Sequence, residues 1–317
     1  GAGEHQLLVK AYDMAGNMRE WCWNETPQGR VIRGGAWNDA TYMFGNLSQA
    51  SPFDRSPKNG FRCVLLPEPE KVPKPCFEPL KLEEYPDFYK LQPASDSVFQ
   101  VYREQFSYDK TPLADSFEWR NESKKDWTQE KIIFNAAYEN ERIIAYLFLP
   151  KRGTPPYQTV VYFPGAGSVF RRSSKDLDTY WEFERYLSAI VKSGRAVLYP
   201  VYKGTFERGS DELSAIHSGA DTHQYTEYFV KVVKDFRRCV DYLQTRRDID
   251  GQRLAYLGVS WGGRYGAIIP AVEERLAASV LVVGGMWGVP RREVNEINYV
   301  GRVKLPTLML NGKYDMT

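Results

Sequence analysis

The sequence predicts an α/β protein built on a mostly parallel sheet with helices on both faces, preceded by a smaller, loop-rich region. Three observations point there. Short apolar runs alternate with helical stretches through the second half of the chain. A Gly-x-Ser-x-Gly segment, Gly258 to Gly262, sits between one such run and a small-residue stretch able to open a helix. A crowd of prolines separates all of this from a beginning rich in glycine and tryptophan. Strands this apolar, spaced by helices, pack best as a parallel sheet covered on both sides.

From the amino end, residues 13–23, 33–37 and 59–63 are dense in glycine, tryptophan and paired polar groups. They predict a compact fold that turns on glycine and packs indoles, not a helix bundle. Asp13 and Glu20, with the carbonyls between them, could hold a hard cation such as calcium. The alternative is a carboxylate pair that accepts hydrogen bonds from loop amides. Pro67, Pro69, Pro73, Pro75, Pro79, Pro86 and Pro93 follow, and they forbid a continuous helix or central strand. The expected division is a domain over 1–66, an extended linker over 67–94 and a second domain over 95–317.

Downstream, 131–138 and 141–149 read as a hairpin around Glu139-Asn140. The next strand is 159–163, ending at Pro164-Gly165. Over 178–192, Phe183, Leu187, Ile190 and Val191 share one helical face, closed by Gly194. Residues 196–202 form a strand, and 209–226 read as a polar connection without a fixed pattern. From Thr226 onward Phe229, Val232, Val233, Phe236, Val240 and Leu243 recur at helical spacing, the clearest amphipathic helix of the chain. Residues 253–257 lead into the Gly-x-Ser-x-Gly turn, and 279–283 and 307–310 complete the strands.

Bulk composition excludes more than it assigns. Lys and Arg number 42 against 40 Asp and Glu, a net charge of +2, too balanced to advertise a nucleic-acid or anionic-membrane partner. Cys22, Cys63, Cys76 and Cys239 form no Cys-x-x-Cys pair, so neither a disulfide scaffold nor a zinc site is indicated. The longest apolar stretch, 277–289, is interrupted by Gly284, Gly285 and Gly288 and is too short to span a membrane. Nothing at the amino end resembles a signal peptide, and a cytoplasmic location is the expectation. No pattern specifies an oligomeric state.

The chemistry centres on Gly258-Val259-Ser260-Trp261-Gly262. Between a strand and a helix this pentapeptide reads as a nucleophile elbow, in which a serine occupies a strained turn and its neighbours must be small. Ser260 is then the nucleophile, and the Trp261 amide the first donor to an oxyanion. The second donor should come from Gly165, Ala166 or Gly167, in the loop after the strand ending at Phe163. Asp315 follows the last strand at the carboxyl edge of the sheet, where an acid would orient a histidine. All three histidines, His5, His217 and His223, precede Ser260, whereas the motif's chain order is nucleophile, acid, histidine. His217 and His223 therefore read as polar loop residues able to border the site, and Arg171-Arg172 as a solvated basic pair, with anion binding as the alternative. This chemistry needs no cofactor.

In strand order and motif, residues from about 100 to 317 resemble the α/β-hydrolase family, with a layout similar to its acyl-ester hydrolase and prolyl-oligopeptidase-like branches. Leu308-Met309-Leu310-Asn311-Gly312-Lys313-Tyr314-Asp315 looks like the family's acid-bearing strand end. The family places its histidine in a loop after a further strand, beyond residue 317. The resemblance thus implies a serine hydrolase acting on a small-molecule ester or peptide-like substrate in a longer parent chain, with very weak turnover by these residues alone. The alternative is a non-catalytic binding or regulatory module of a larger, kinase-linked protein.

The three motifs of the first region, Asp13 to Trp23, Arg33-Gly34-Gly35-Ala36-Trp37 and Asn59-Gly60-Phe61-Arg62-Cys63, closely resemble the carboxyl-terminal part of the formylglycine-generating enzyme, or sulfatase-modifying factor, family. That resemblance implies a small, loop-rich α+β remnant of C-type-lectin-like type. It also implies calcium held by the Asp13 and Glu20 side chains and the Gly16 and Met18 carbonyls. Oxidising members carry two copper-binding cysteines shortly after the Arg-Gly-Gly motif, and 37–44 contain none here. A recognition or structural role is what the resemblance leaves.

Overall fold

A computed structural model describes residues 15–39, 44, 47–80, 87–219 and 221–313. The chain divides into two compact units, Gly1–Glu84 and Tyr85–Thr317.

In the first unit, β1 (Arg19–Thr26), β2 (Gly29–Arg33), β3 (Ser48–Ala50) and β4 (Asn59–Gly60) form one sheet in the order β3-β2-β1-β4. Loops dominate, and polar pairs hold them. Arg19 forks onto Asp39 at 2.7 and 2.8 Å while the Ala36 amide donates to the same carboxylate at 2.8 Å. The Arg19 hydrogen bonds hold the Asp39 carboxyl below its ordinary range. The expectation of packed indoles needs correction, because Trp23 is 69% and Trp37 70% exposed. Alternation along β1 turns Trp23 away from the small core around Val31, Ile32 and Ala36. The proline-rich stretch makes two tight turns, Pro69–Lys71 and Lys74–Phe77. It returns to β1, where Asn24 donates to the Cys76 and Glu78 carbonyls and the Leu80 amide to that of Glu25.

The second unit opens with α1 (Asp96–Glu104), followed by β5 (Ser116–Asn121), β6 (Trp127–Asn135), β7 (Arg142–Pro150) and β8 (Tyr157–Phe163). Then come α2 (Ser188–Lys192), β9 (Ala196–Val201), α3 (Asp211–Ser218), α4 (His223–Thr245) and β10 (Ile249–Val259). The last elements are α5 (Trp261–Tyr265), α6 (Ile269–Val272), β11 (Leu276–Val282), α7 (Ile297–Val300) and β12 (Thr307–Leu310). The sheet order is β12-β11-β10-β8-β9-β7-β6-β5. Pairing is parallel from β9 through β8, β10 and β11 to β12, and antiparallel from β5 to β7 and between β7 and β9. The strand order reverses at β8, which has β9 on one side and β10 on the other. Such a switch point opens a crevice at the carboxyl ends of the two diverging strands, and Pro164 and Ser260 stand at those ends.

Side chains alternate across this sheet. Val161 and Phe163 of β8 join Phe229, Val233, Phe236 and Val240 of α4 in one core. Val160 and Tyr162 join Phe183, Leu187 and Val191 in the other. Both faces of the central strands are thereby buried, which is why they read as continuous apolar runs. The hairpin forms as expected, with Glu139 and Asn140 at φ 51° and 52° in its turn. Two expectations change. Residues 178–192 are not one α-helix, because Phe183–Leu187 adopt a π-helical turn ahead of α2. The stretch 209–226 is not a plain connection, since it carries α3, whose amino end Ser210 caps by accepting from the Leu213 amide at 3.1 Å. No helix among the described residues is long and apolar enough to cross a membrane.

Candidate active site

β10 delivers Gly258 and Val259 to its carboxyl end and α5 starts at Trp261, so Ser260 occupies the turn between them. Its backbone sits at φ 52°, ψ −107°, a region that costs a non-glycine residue about 1–3 kcal/mol. Surrounding bonds impose that conformation. The Ser260 amide donates to the Val282 carbonyl at 2.8 Å, the Gly262 amide to Pro164 at 3.1 Å and the Arg264 amide to Ser260 at 3.0 Å. Beneath the turn the buried Tyr256 hydroxyl donates to the Gly262 carbonyl at 2.5 Å. Val259 and Trp261 are buried, whereas Ser260 is exposed. A Cβ on Gly258 would meet the Gly262 carbonyl oxygen at 2.2 Å, and one on Gly262 would meet that of Phe163 at 2.2 Å. Both glycines of the pentapeptide are therefore steric requirements of the turn and of its approach to β8.

The loop after β8 lies against the same serine. A Cβ built on Gly165 would be 3.8 Å from the Ser260 Cβ. Residues Ala166–Val169 form a tight turn whose first backbone bond runs from the Ser168 amide to the Gly165 carbonyl at 3.1 Å. The Ala166 and Gly167 amides precede that bond, as the Trp261 amide precedes the first bond of α5, positions at which an amide has no acceptor within its own turn. Glu182 lies against Gly165, its Oε1 2.9 Å from where a Cβ on that glycine would stand. This carboxyl is 2% exposed and accepts from the Tyr162 hydroxyl at 2.9 Å. Burial pushes its pKa up, while the Tyr162 hydroxyl, the Gly165 amide and the nearby Arg171 charge hold it down. Glu182 carried no signal in sequence, because its role depends on which face of β8 Tyr162 takes.

Asp315 lies outside the described residues. The strand end that precedes it is anchored at the carboxyl edge. Asn311 accepts from the Gly284 amide at 3.2 Å and donates to the Gly284 carbonyl at 2.8 Å, tying the chain after β12 to the loop after β11. His217 sits on α3 and not in a loop, with its ring edge-on to Trp261 at 4.9 Å. His223 opens α4 and faces Glu227 at 3.3 Å. Among the described residues neither imidazole is hydrogen-bonded to Ser260. The basic pair divides: Arg172 is held by Asp211, Ser214 and the Val169 carbonyl, and Arg171 stacks on Tyr180 at 4.2 Å.

Burial, aided by the Arg264 charge, lowers the His217 pKa from 6.5 to about 4. The sign follows from linkage. An unfolded chain takes up this proton near its ordinary value and the folded chain does not, so the stabilisation from neutral His217 is full above about pH 6.5 and is lost as pH falls toward 4. His217→Gln should flatten that acid limb. Urea unfolding at pH 7 and pH 5 is expected to show the wild type losing up to about 2 kcal/mol more than the variant.

In the first unit, Asp13 is also outside the described residues. Glu20 forms an ion pair with Arg62, and the Gly16 carbonyl accepts from the Met18 amide at 2.8 Å. Among the described residues, which do not include Asp13, no group of three His, Cys, Asp or Glu is placed to hold a metal.

Comparison with known proteins agrees with both units. Residues 9–66 match the sulfatase-modifying factor enzyme 1-like domain family. The second unit has the α/β-hydrolase fold. Acetyl xylan esterase 1 from Thermoanaerobacterium sp. JW/SL YS485 superposes with a TM-score of 0.53 at 16% identity, over 69% of this chain and 79% of that one. A putative acetyl xylan esterase from Bacteroides fragilis NCTC 9343 gives 0.50 at 14% identity, over 68% and 74%. Hydrolyase poxO from Penicillium oxalicum (strain 114-2 / CGMCC 5302) is 27% identical over 183 residues, 56% of this chain. The match spans 40% of that relative's length.

Proposed function

We propose that the second unit hydrolyses an ester or related acyl bond through an acyl-enzyme on Ser260. The observation that carries this reading is the exposed Ser260 on a strained turn at the switch point, with the Gly165 loop beside it. In the proposed reaction Oγ gives its proton to a base and attacks the carbonyl carbon. The resulting oxyanion is met by the Trp261 amide and by that of Ala166 or Gly167. As the tetrahedral intermediate collapses, the base returns that proton to the departing oxygen and the alcohol leaves. The same base then deprotonates the water that attacks the acyl-enzyme and gives the proton to Oγ as the acid departs. Asp315 is assigned as the orienting acid. The base is assigned to a histidine after Asp315, in the motif's chain order. The sulfatase-modifying-factor-like domain is assigned a recognition or structural role without oxidase chemistry.

Support comes from the site and from the fold shared with esterases. A full-length protein that turns over a short-chain aryl ester, and loses that turnover on treatment with a fluorophosphonate, meets the proposal. Absence of turnover together with an unlabelled serine favours the second reading, a binding module that keeps the elbow as a relic. That reading draws on the lack of a bond from His217 or His223 to Ser260.

Glu182 is a positioning residue in this scheme, since it is held by Tyr162 and packs against Gly165 at the start of the oxyanion loop. Glu182→Gln, which keeps the shape but replaces the carboxylate by an amide, is expected to lower kcat by about 10–100-fold with a small change in KM. Steady-state kinetics of the full-length variant, alongside its melting temperature, check this.

A further inference from the structure

At the edge of the sheet away from the Ser260 turn, the second unit holds an open cavity of about 540 Å³. Three segments wall it: the turn from β7 into β8, the end of α2 with its turn into β9, and the early part of β10. Arg253 of that last wall lies roughly 20 Å before Ser260 along β10, at the rise of an extended strand. Four cations line the cavity, Arg152 on the first wall, Lys192 and Arg195 on the second and Arg253 on the third. None of its described lining residues is an Asp or Glu. In a chain whose net charge is only +2 this is a local concentration of one sign, and a cleft of one sign focuses its field on an incoming counter-ion.

The backbone brings these cations together. Gly153 and Gly194 take φ 88° and 92°, a region glycine enters freely, and a Cβ on Gly194 would stand 3.7 Å from the Arg152 carbonyl oxygen. Arg195 is held in place by neutral groups of the same lining. Its Nε donates to Gln158 Oε1 at 3.2 Å and its Nη1 to Ser193 Oγ at 2.9 Å, while the Ser193 hydroxyl donates to the Ile190 carbonyl at 2.7 Å. A guanidinium carries five N–H donors, so most of this fork stays open to an anion. Arg253 faces Asp250 at 3.5 Å and Lys192 faces Glu184 at 3.9 Å. Among the described residues no carboxylate comes within ion-pair distance of Arg152 or Arg195. Two positive charges are thus left without a counter-charge, both on exposed side chains at one cavity.

We infer that this cavity is a binding site for a dianionic tetrahedral group, the phosphate or sulfate of a small-molecule ligand. Planar guanidinium forks take the oxygens of such a group two at a time, and a dianion matches the two uncompensated charges where a monocarboxylate leaves one unmatched. The volume is that of a small-molecule site. Nothing in this assignment depends on how Ser260 reacts.

Isothermal titration of the full-length protein with inorganic phosphate, sulfate and acetate tests it, at one ionic strength and at pH 8, where phosphate is a dianion. Phosphate or sulfate is expected to bind saturably, at least tenfold more tightly than acetate. The tighter of the two names the group, and equal affinity assigns the site to the charge and shape they share. Arg152→Gln and Arg195→Gln should each weaken that binding at least fivefold. Lys110→Gln, which removes an exposed cation outside the lining, should leave it within twofold. Absence of saturable binding overturns the inference. So does acetate bound as tightly as the dianions, binding that survives either arginine substitution unchanged, or an equal loss from Lys110→Gln. Should an arginine variant fail to fold, Arg253→Gln on the third wall takes its place with the same expectation.

Discussion

Ser260→Ala in the full-length protein is expected to lower kcat for any ester it hydrolyses by about 10⁴–10⁶-fold, since without the hydroxyl no acyl-enzyme forms. Its stability should barely move, because alanine keeps the Cβ and with it the strain at φ 52°. Ser260→Gly separates the two effects. It is equally inactive, yet glycine accepts this backbone without penalty, so the variant should be more stable by about 1 kcal/mol. Steady-state kinetics and thermal unfolding of the three proteins side by side check both statements. A serine that could be removed without loss of turnover would leave the elbow as architecture alone.

The second large effect is structural. Gly262→Ala places a Cβ 2.2 Å from the Phe163 carbonyl oxygen and 2.8 Å from its carbon. Both atoms are backbone of a central strand and cannot turn aside. The clash pushes β8 from α5, strains the Gly262–Pro164 hydrogen bond and displaces the Gly165 loop. Overpacking of this kind costs about 1–3 kcal/mol or more, which for a unit of this size lowers the melting temperature by about 6–12 °C at the upper figure. Activity should fall with it. Gly301→Ala is the control, because a Cβ there meets nothing within 4 Å. That variant should melt at or slightly above the wild-type temperature.

Much of the second unit is legible in its sequence because its sheet is buried on both faces. Burial makes β9 and the carboxyl-terminal parts of β8 and β10 apolar runs, and the long helix α4 advertises its stripe for the same reason. The strained turn is legible too, since it tolerates only glycine two residues to either side of Ser260. What escapes are features fixed by contacts distant in sequence. Glu182 acquires meaning from Tyr162, 20 residues away on a strand face the pattern does not identify. The edge strand β5 is mostly exposed and carries no apolar run. α3 is the instructive omission: Ser210 followed by Asp211 and Glu212 is a legible helix start, obscured by the polar character of the rest of that stretch. His217 gains its place beside Trp261 only once that helix exists. In the first unit, motif spacing identified the family, while the exposure of Trp23 and Trp37 depends on how little core so short a sheet provides.

The central claim is that Ser260 is an activated nucleophile, and it is tested most directly by covalent trapping. The full-length protein treated with a fluorophosphonate should gain the mass of one phosphonyl group. Peptide mapping should place that mass on Ser260, with none acquired by the Ser260→Ala variant. An unmodified protein under conditions that label a known serine esterase, or a label on another residue with Ser260 untouched, would contradict the account.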